Sequence, residues 1–230
     1  MEELNVLYED NHLIAVNKPA RVLVQGDKTG DEHLADIVKE YIRKKYNKPG
    51  QVFCGVIHRL DRPVSGVVVF ARTSKGLERM NALFQNKDLD KTYLALVSNR
   101  PPEDEDEIMN YLVKDPEKNI TKAYTRQVKG SKPSTLRYKI LGKVNRYYLL
   151  EIHPKTGRSH QIRAQLAKIG CPIKGDIKYG YPEKNKDGRI HLHAFKLDFI
   201  HPVKKEPVRI QAALPKDQVW REYVQLARDV

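Results

Sequence analysis

The stretch from Gly66 to Ala71, GVVVFA, constrains the fold more than any other part of the sequence. It is short, apolar throughout and rich in β-branched valine, which is typical of a central strand buried on both faces of a sheet. HRLDRPVSG, residues 58–66, leads directly into it, so Asp61 is predicted at the entrance to the core. An acid between two arginines could be a salt-bridged turn residue, a catalytic base or a nucleophile.

Apolar patterns elsewhere predict more strands than helices. Strands are predicted at His12–Val16 and at residues 91–97, 146–152, 191–199 and 207–212, with PPEDEDE, residues 101–107, as a solvated loop. Helices are predicted over Glu32–Tyr46, after a cap at Thr73 or Ser74, from Thr156 or Ser159 to Gly170, and from Asp217 to about Arg228. Because the two element types do not alternate strictly, we predict an α+β fold with a mixed, mainly antiparallel β-sheet and flanking helices. The absence of repeats and linkers favours one domain over residues 1–230.

The charge of the chain favours a polyanionic partner. Its 42 basic and 29 acidic residues give a formal net charge of +13. Such an excess is typical of nucleic-acid binding, although a merely soluble basic protein is an equally good interpretation. From Glu117 to Arg146 there are nine Lys or Arg and one acid. This segment is either a basic sheet edge facing RNA or a solvated hairpin.

Cysteine content and hydropathy exclude several protein classes. The two cysteines show no metal-binding spacing, so neither a disulfide scaffold nor a metal site is expected. No signal-type opening and no apolar run of about 20 residues is present, which argues against a membrane protein. A cytoplasmic location is expected, or a nuclear or organellar one in a eukaryote.

Three other chemistries fit the residues poorly. A kinase would need His-Arg-Asp together with a glycine-rich loop and Asp-Phe-Gly, whereas this chain has only HRLD. GRSHQ, residues 157–161, lacks the G-x-S-x-G elbow of serine hydrolases. His191 and His193 share one face of a predicted strand, but no third ligand is spaced to join them, so packed histidines are favoured over a metal site.

Three residues remain that make chemical sense together. Asp61 could act as nucleophile or base, Arg163 could hold it in place, and Tyr93 offers a ring on which a base can stack. From residue types alone, an ordinary buried salt bridge between Asp61 and Arg163, with Tyr93 in the core, is slightly favoured.

Five ordered stretches resemble a known family. They are HRLDRPVSGVVVFAR, residues 58–72; NKPARVLVQ, residues 17–25; KTYLALV, residues 91–97; HPKTGRSHQIRAQLAKIGCPIKGDIKYG, residues 153–180; and LHAFKLDFIHP, residues 192–202. Together they resemble the RluA-like pseudouridine synthase family over nearly the whole chain. The resemblance implies a central RNA-binding cleft and isomerisation of specific uridines in structured RNA, either rRNA or tRNA. It implies no metal, nucleotide or redox cofactor.

The resemblance also implies residue roles. Asp61 is then the essential carboxylate, Tyr93 stacks on the base and is a candidate for removing the C5 proton, and Arg163 pairs with Asp61. The substrate-binding residues implied are Arg62, which fills the gap left by the flipped uridine, Ile162, which packs against the uracil, Arg59 and His58. An enzyme that acts on a base inside structured RNA must extrude it, which fits a planar guanidinium at position 62.

Two features depart from the family pattern. Val64 stands where the family more often has Thr, which predicts altered support of the catalytic loop. The catalytic stretch begins almost at Met1, so no S4-type RNA-binding domain is expected, and Lys118–Arg146 is the predicted RNA-holding segment. A monomer without DNA or membrane partners is expected. The alternatives are a non-catalytic RNA-binding protein and a basic interaction domain without an RNA role.

Overall fold

The computed structural model describes residues 4–26, 30–228 and 230, which form two compact units. The first unit comprises Met1–Lys91 and Ala194–Pro215, and the second comprises Thr92–His193 and Lys216–Val230. The strands are β1 (Val6–Glu9), β2 (Leu13–Lys18), β3 (Gly55–Val56), β4 (Ser65–Ala71), β5 (Leu89–Val97), β6 (Glu105–Asp115), β7 (Ile120–Tyr124), β8 (Lys132–Val144), β9 (Tyr147–Pro154), β10 (Leu192–Ile200) and β11 (Pro207–Gln211). The helices are α1 (Leu34–Lys45), α2 (Ser74–Asn86), α3 (Gln161–Lys168) and α4 (Gln218–Arg221), with a 3-10 turn at Ile177–Tyr179.

Strand β4 lies at the centre of the first unit. The strand order there is β1-β2-β4-β10, with β3 beside β4 and β11 beside β10. The pairs β1–β2, β2–β4, β3–β4 and β10–β11 are all antiparallel. Every residue of β4 is buried, which confirms the prediction drawn from GVVVFA.

Gly66 shows why strand β4 begins with small residues. Its φ of 117° lies in a region that side-chain-bearing residues rarely adopt, and a Cβ there would stand 2.1 Å from the carbonyl oxygen of Ala194. Only glycine lets the backbone of β4 approach β10 this closely.

The helices of the first unit follow the predicted patterns. Helix α1 buries Leu34, Val38 and Ile42, which are spaced so that they share one face. Helix α2 begins after Thr73, whose hydroxyl oxygen accepts a hydrogen bond of 3.0 Å from the amide of Gly76. Both predicted helices are confirmed.

The second unit is an antiparallel sheet. Its strand order is β5-β9-β8-β6-β7, so β7 is an edge strand. Along β8, Ser134, Leu136 and Tyr138 are buried while the residues between them are more exposed, as the alternation in STLRYKIL predicts. The predicted mainly antiparallel sheet with few helices is confirmed.

Two predicted boundaries are wrong. The loop predicted at residues 101–107 gives way to strand β6 at Glu105, because the chain from there pairs with β8. Helix α3 begins at Gln161, not near Thr156 or Ser159. The hydroxyl of Thr156 bonds instead to Gln161 Oε1 at 2.6 Å and to the amide of Thr135 at 3.2 Å, so it holds the preceding loop against β8.

The predicted C-terminal helix is much shorter than expected. Asp217 caps α4 by accepting hydrogen bonds from the amides of Val219 and Trp220, but the helix ends at Arg221. The chain then tightens into turns in which the amide of Tyr223 bonds the carbonyl of Trp220. Both aromatic side chains are thereby buried.

The paired histidines pack as predicted. The rings of His191 and His193 lie 5.6 and 6.1 Å from that of Trp220 and are both buried. Within the described residues, no helix combines the length and apolar character that a membrane span requires.

Candidate active site

The turn that carries Asp61 is fixed by packing on both sides of the acid. Leu60 and Val64 are 8% and 2% exposed, and the amide of Val64 donates a 3.0 Å hydrogen bond to the carbonyl of Asp61. Asp61 itself is half-buried, while its neighbour Arg62 is exposed. The Asp61 carboxyl group therefore stands on a backbone that is held from within the unit.

Lys18 supports this turn from the interior of the first unit. Its side chain is fully buried, and its ammonium donates hydrogen bonds to the carbonyl oxygens of Pro19 at 3.0 Å, Val22 at 2.8 Å and Arg62 at 3.3 Å. Three bonds satisfy all three ammonium protons. Sequence reasoning missed Lys18, although NKPARVLVQ is one of the stretches that carry the family resemblance.

Burial dominates the electrostatics of Lys18. It lowers the pKa of the ammonium from its usual range to about 7, because desolvation disfavours the charged form. The negative charge of Asp61 acts in the opposite direction, and the positive charge of Arg62 adds to the lowering. The Asp61 carboxylate is thus close enough to favour the charged form of this buried amine.

Arg62 is bound to the loop that follows β2. Its Nε donates to the carbonyl of Arg21 at 3.0 Å, and its Nη2 forms a 2.7 Å ion pair with Asp31. Both charged side chains of this pair are 48% exposed. Such a pair is worth about 0–1 kcal/mol, so little free energy is needed to redirect the guanidinium.

His58 and Arg59 differ in environment. The ring of His58 stacks on Phe84 with centroids 4.8 Å apart, and its Nε2 accepts a hydrogen bond from the amide of Val69. Burial, followed by the charge of Lys91, lowers the pKa of His58 to about 4. His58 is therefore neutral at physiological pH. The side chain of Arg59, by contrast, is exposed to solvent.

Tyr93 and Ile162 belong to the second unit. Tyr93 lies on β5 opposite Ile152 of β9 and is half-buried. Ile162 is 7% exposed in the first turn of α3, next to the buried Arg163. Strand β5 thus holds Tyr93, and helix α3 holds Ile162 and Arg163.

Arg163 has a carboxylate partner that the sequence did not reveal. Its Nε and Nη2 donate to the two carboxylate oxygens of Asp176 at 2.7 and 2.8 Å, and both side chains are almost completely buried. This bidentate geometry is the strong form of the interaction, and it uses two of the five guanidinium N–H donors. The sequence signal that could have identified this partner was Asp176 itself, because it is the only acid between residues 152 and 182.

The segment predicted to hold RNA contains one cation that is bound to a carboxylate, whereas its other exposed cations, including Lys139, Lys143 and Arg146, have no carboxylate partner among the described residues. The bound cation is Arg137, which forms an ion pair with Glu105, and nearby Lys155 pairs with Glu107 at 2.5 Å. We call residues 114–132 the basic hairpin segment. Six cations there are exposed and none pairs with a carboxylate anywhere in the described part of the chain: Lys114, Lys118, Lys122, Arg126, Lys129 and Lys132.

Comparison with known proteins identifies the family. A model of the family described as RNA pseudouridylate synthase matches residues 12–168. A tRNA pseudouridine synthase C of Vibrio cholerae is 36% identical over 236 residues, which cover 95% of this chain and 93% of that protein. A ribosomal large subunit pseudouridine synthase C of Buchnera aphidicola is 36% identical and covers 92% of this chain and 68% of that protein.

A solved structure agrees at the level of the fold. Human RNA pseudouridylate synthase domain containing 4 superposes with a TM-score of 0.78 at 22% identity, covering 97% of this chain and 93% of that one. The chain therefore belongs to the RNA pseudouridylate synthase family, enzymes that isomerise uridine in RNA to pseudouridine.

Proposed function

We propose that this enzyme isomerises specific uridines of a structured RNA and that Asp61 supplies the carboxylate that reacts. The observation that carries the proposal is the position of Asp61, half-buried on a fixed turn, close to the buried amine of Lys18. A carboxylate held in this way is preorganised to act as nucleophile or base.

The reaction balances without a cofactor. The bond from ribose C1′ to N1 of uracil breaks, the ring turns and a bond from C5 to C1′ forms. The C5 proton then leaves to solvent, and N1 takes up one proton in exchange. Asp61 attacks C1′, adds to C6, or removes the 2′ proton to give a glycal. All three routes begin at the same carboxylate and are redox-neutral.

The residues of the second unit take the remaining chemical roles. Tyr93 stacks on the uracil and its hydroxyl is the candidate for receiving the C5 proton, and Ile162 packs against the base. Arg163 pairs with Asp61. Its ion pair with Asp176 supports this role, because it fixes the orientation of the guanidinium.

The residues around Asp61 bind the substrate. Arg62 fills the space vacated by the flipped uridine. Its side chain can move there because breaking the exposed ion pair with Asp31 costs little free energy. Arg59 is exposed and contacts a phosphate. The contacts of His58 with Phe84 and with the backbone support a role in shaping the turn that meets the substrate.

The basic hairpin segment holds the RNA backbone. Its six unpaired cations can release phosphate counterions, whereas Arg137 and Lys155 are already neutralised by carboxylates. We propose a tRNA as the substrate class, because the curated relatives whose full length this chain most nearly spans are named for tRNA. Ribosomal RNA is the second candidate, supported by the Buchnera aphidicola relative.

The assembly proposed is simple. Residues 1–230 act as a single catalytic domain with a central RNA-binding cleft, as a cytoplasmic monomer without DNA or membrane partners. The family match supports the single domain, because residues 12–168 include parts of both compact units.

Tritium release tests the proposal. RNA is isolated from cells that lack the gene and were grown with uridine tritiated at C5, so that each isomerisation releases label to water. Wild type should release tritium from the tRNA fraction, and Asp61→Asn should release none while its circular dichroism and RNA affinity stay unchanged. Glu78→Gln, which changes an exposed carboxylate on α2, is the matched control and should keep wild-type activity. Wild-type release by Asp61→Asn would contradict the proposal.

A further inference from the structure

Tyr179 lies directly against Arg163. It is the last residue of the 3-10 turn that follows Asp176, and its ring centroid is 4.9 Å from the guanidinium carbon of Arg163. This is a cation–π distance, and the arginine is buried, so the attraction is stronger than at an exposed site. The guanidinium of Arg163 is therefore held by two partners. The carboxylate of Asp176 bonds to its edge, and the ring of Tyr179 packs on its face.

The hydroxyl of Tyr179 has a separate set of contacts. Its oxygen accepts a 2.8 Å hydrogen bond from the amide of Thr121 and lies 2.8 Å from Nδ1 of His160. The phenol group, with its single proton, therefore joins the Thr121 amide to the ring of His160. Burial raises the pKa of Tyr179, which keeps that proton in place at neutral pH.

Thr121 belongs to the edge strand of the basic hairpin segment. It is 3% exposed, and its hydroxyl donates to the carbonyl of Ser159 at 2.9 Å. The adjacent Lys122 is exposed. Lys178, next to Tyr179, also reaches this hairpin and lies 3.3 Å from the carbonyl of Asn119. The hairpin thus rests on the loop before α3 and on the 3-10 turn.

His160 shows that this loop is held in a costly conformation. Its φ of 52° is left-handed, and it stands at the N-terminus of α3 without a side-chain cap for the helix. Such a conformation persists where surrounding contacts over-determine it. The bond to Tyr179 is one of those contacts, and Arg163 lies only three residues further along the helix.

We propose that Tyr179 is a positioning residue that links strand β7, and through it the RNA-holding hairpin, to the guanidinium of Arg163. The hydroxyl anchors the hairpin and the loop, while the ring aligns the arginine. The inference rests on the proposed function for the roles of Arg163 and the hairpin. It adds that the Tyr179 side chain serves RNA binding through its hydroxyl and catalysis through its ring.

Two substitutions separate these parts. Tyr179→Phe keeps the ring and removes the hydroxyl, so KM for tRNA should rise about five- to tenfold, the size of a lost hydrogen bond, while kcat changes far less. Tyr179→Leu also removes the ring, so kcat should fall by a further factor of about ten. Tyr148→Phe is the matched control, because this half-buried tyrosine lies on β9 with the ammonium of Lys143 over its ring. It should leave both constants unchanged.

A resonance of the free protein gives a second readout that does not depend on activity. The Nε–H of Arg163 is bonded to Asp176 and lies beside the Tyr179 ring, so its proton shift contains a ring-current contribution. That shift should persist in Tyr179→Phe and be lost in Tyr179→Leu. Exchange of the Thr121 amide with solvent should accelerate in both variants, because both lose its hydrogen-bond acceptor.

The outcomes separate this inference from the proposed function. Equal kcat in the Phe and Leu variants, or a KM unchanged by Tyr179→Phe, would overturn the link. An inactive wild-type enzyme would instead be a failure of the proposed function. In that case the two measurements on the free protein decide whether Tyr179 links the hairpin to Arg163. The link would be overturned if Tyr179→Leu had the wild-type Arg163 Nε–H shift and the wild-type exchange rate of the Thr121 amide.

Discussion

The ammonium nitrogen of Lys18 lies 3.3 Å from the carbonyl oxygen of Arg62, the residue that follows Asp61. The same carbonyl accepts a second hydrogen bond, from the amide of Arg21. Because Lys18 is the last residue of β2 and is fully buried, this contact joins the sheet to the turn that carries the candidate catalytic acid. The position of Asp61 thus depends on the buried side chain of Lys18.

The lowered pKa of Lys18 predicts a specific pH dependence of stability. With a pKa of about 7 in the folded state and 10.5 as its ordinary value, the unfolded chain binds more protons between these pH values. The free energy of unfolding should therefore rise with pH in this window. Relative to Lys18→Met, wild type should gain about 2 kcal/mol between pH 7 and pH 9. Urea denaturation at each pH measures the difference.

Lys18→Met is a suitable reference because methionine is apolar and of similar length. The variant cannot titrate at this position, so every other group contributes equally to both curves. Parallel pH profiles for the two proteins would show that Lys18 titrates in its ordinary range.

The Arg163–Asp176 ion pair predicts a large loss of stability when one partner is removed. Asp176→Asn leaves a buried guanidinium without its carboxylate, so the variant should lose about 3–5 kcal/mol of unfolding free energy. Its kcat should also fall, because Arg163 is no longer fixed at its edge. Urea denaturation and tritium release measure the two effects.

Removing both charges separates stability from function. In Arg163→Met/Asp176→Leu the buried site becomes apolar, so most of the lost stability should return. Activity should not return, because the partner of Asp61 is missing. A double variant that recovers both would mean that Arg163 has only a structural role.

The unpaired cations of the basic hairpin segment predict how RNA binding responds to salt. Replacing Lys118 and Lys122 with Gln should weaken binding, and it should reduce the slope of log K against log salt by about 1.5 if each cation contacts one phosphate. Fluorescence anisotropy with labelled tRNA between low and physiological salt measures the slope.

A charge-matched pair provides the control for this measurement. Arg137→Gln/Lys155→Gln removes the same two positive charges, but these residues are already paired with Glu105 and Glu107. The salt slope should change little. Equal slopes in the two double variants would mean that net charge, and not the hairpin segment, governs binding.

Local sequence patterns predicted the elements around Asp61 well. Strand β4, helix α1 and the Thr73 cap of α2 depend on residues close together in the chain, so periodicity and capping chemistry are sufficient. Strand β6 was not predicted, because Glu105 and Glu107 are typical of a solvated acidic loop. Their pairing with Arg137 and Lys155 is a contact distant in sequence, which a local pattern does not contain.

The supporting residues of the site were harder to predict than its candidate reactive groups. Lysine is almost never fully buried, so nothing local marks Lys18 as an internal residue. Asp176 is 13 residues from Arg163, and its role depends on how the chain turns after α3. The Asp61, Tyr93 and Arg163 roles came from the family resemblance and stay predictions until tested.

The central claim is that Asp61 drives isomerisation of a specific uridine. The most direct test sequences tRNA and ribosomal RNA at pseudouridine resolution from cells lacking the gene, complemented with wild type, Asp61→Asn or Glu78→Gln at matched protein levels. The account predicts at least one tRNA site that is lost without the gene and restored by wild type and Glu78→Gln, but not by Asp61→Asn. A site restored equally by Asp61→Asn, or no site lost in any RNA, would contradict it.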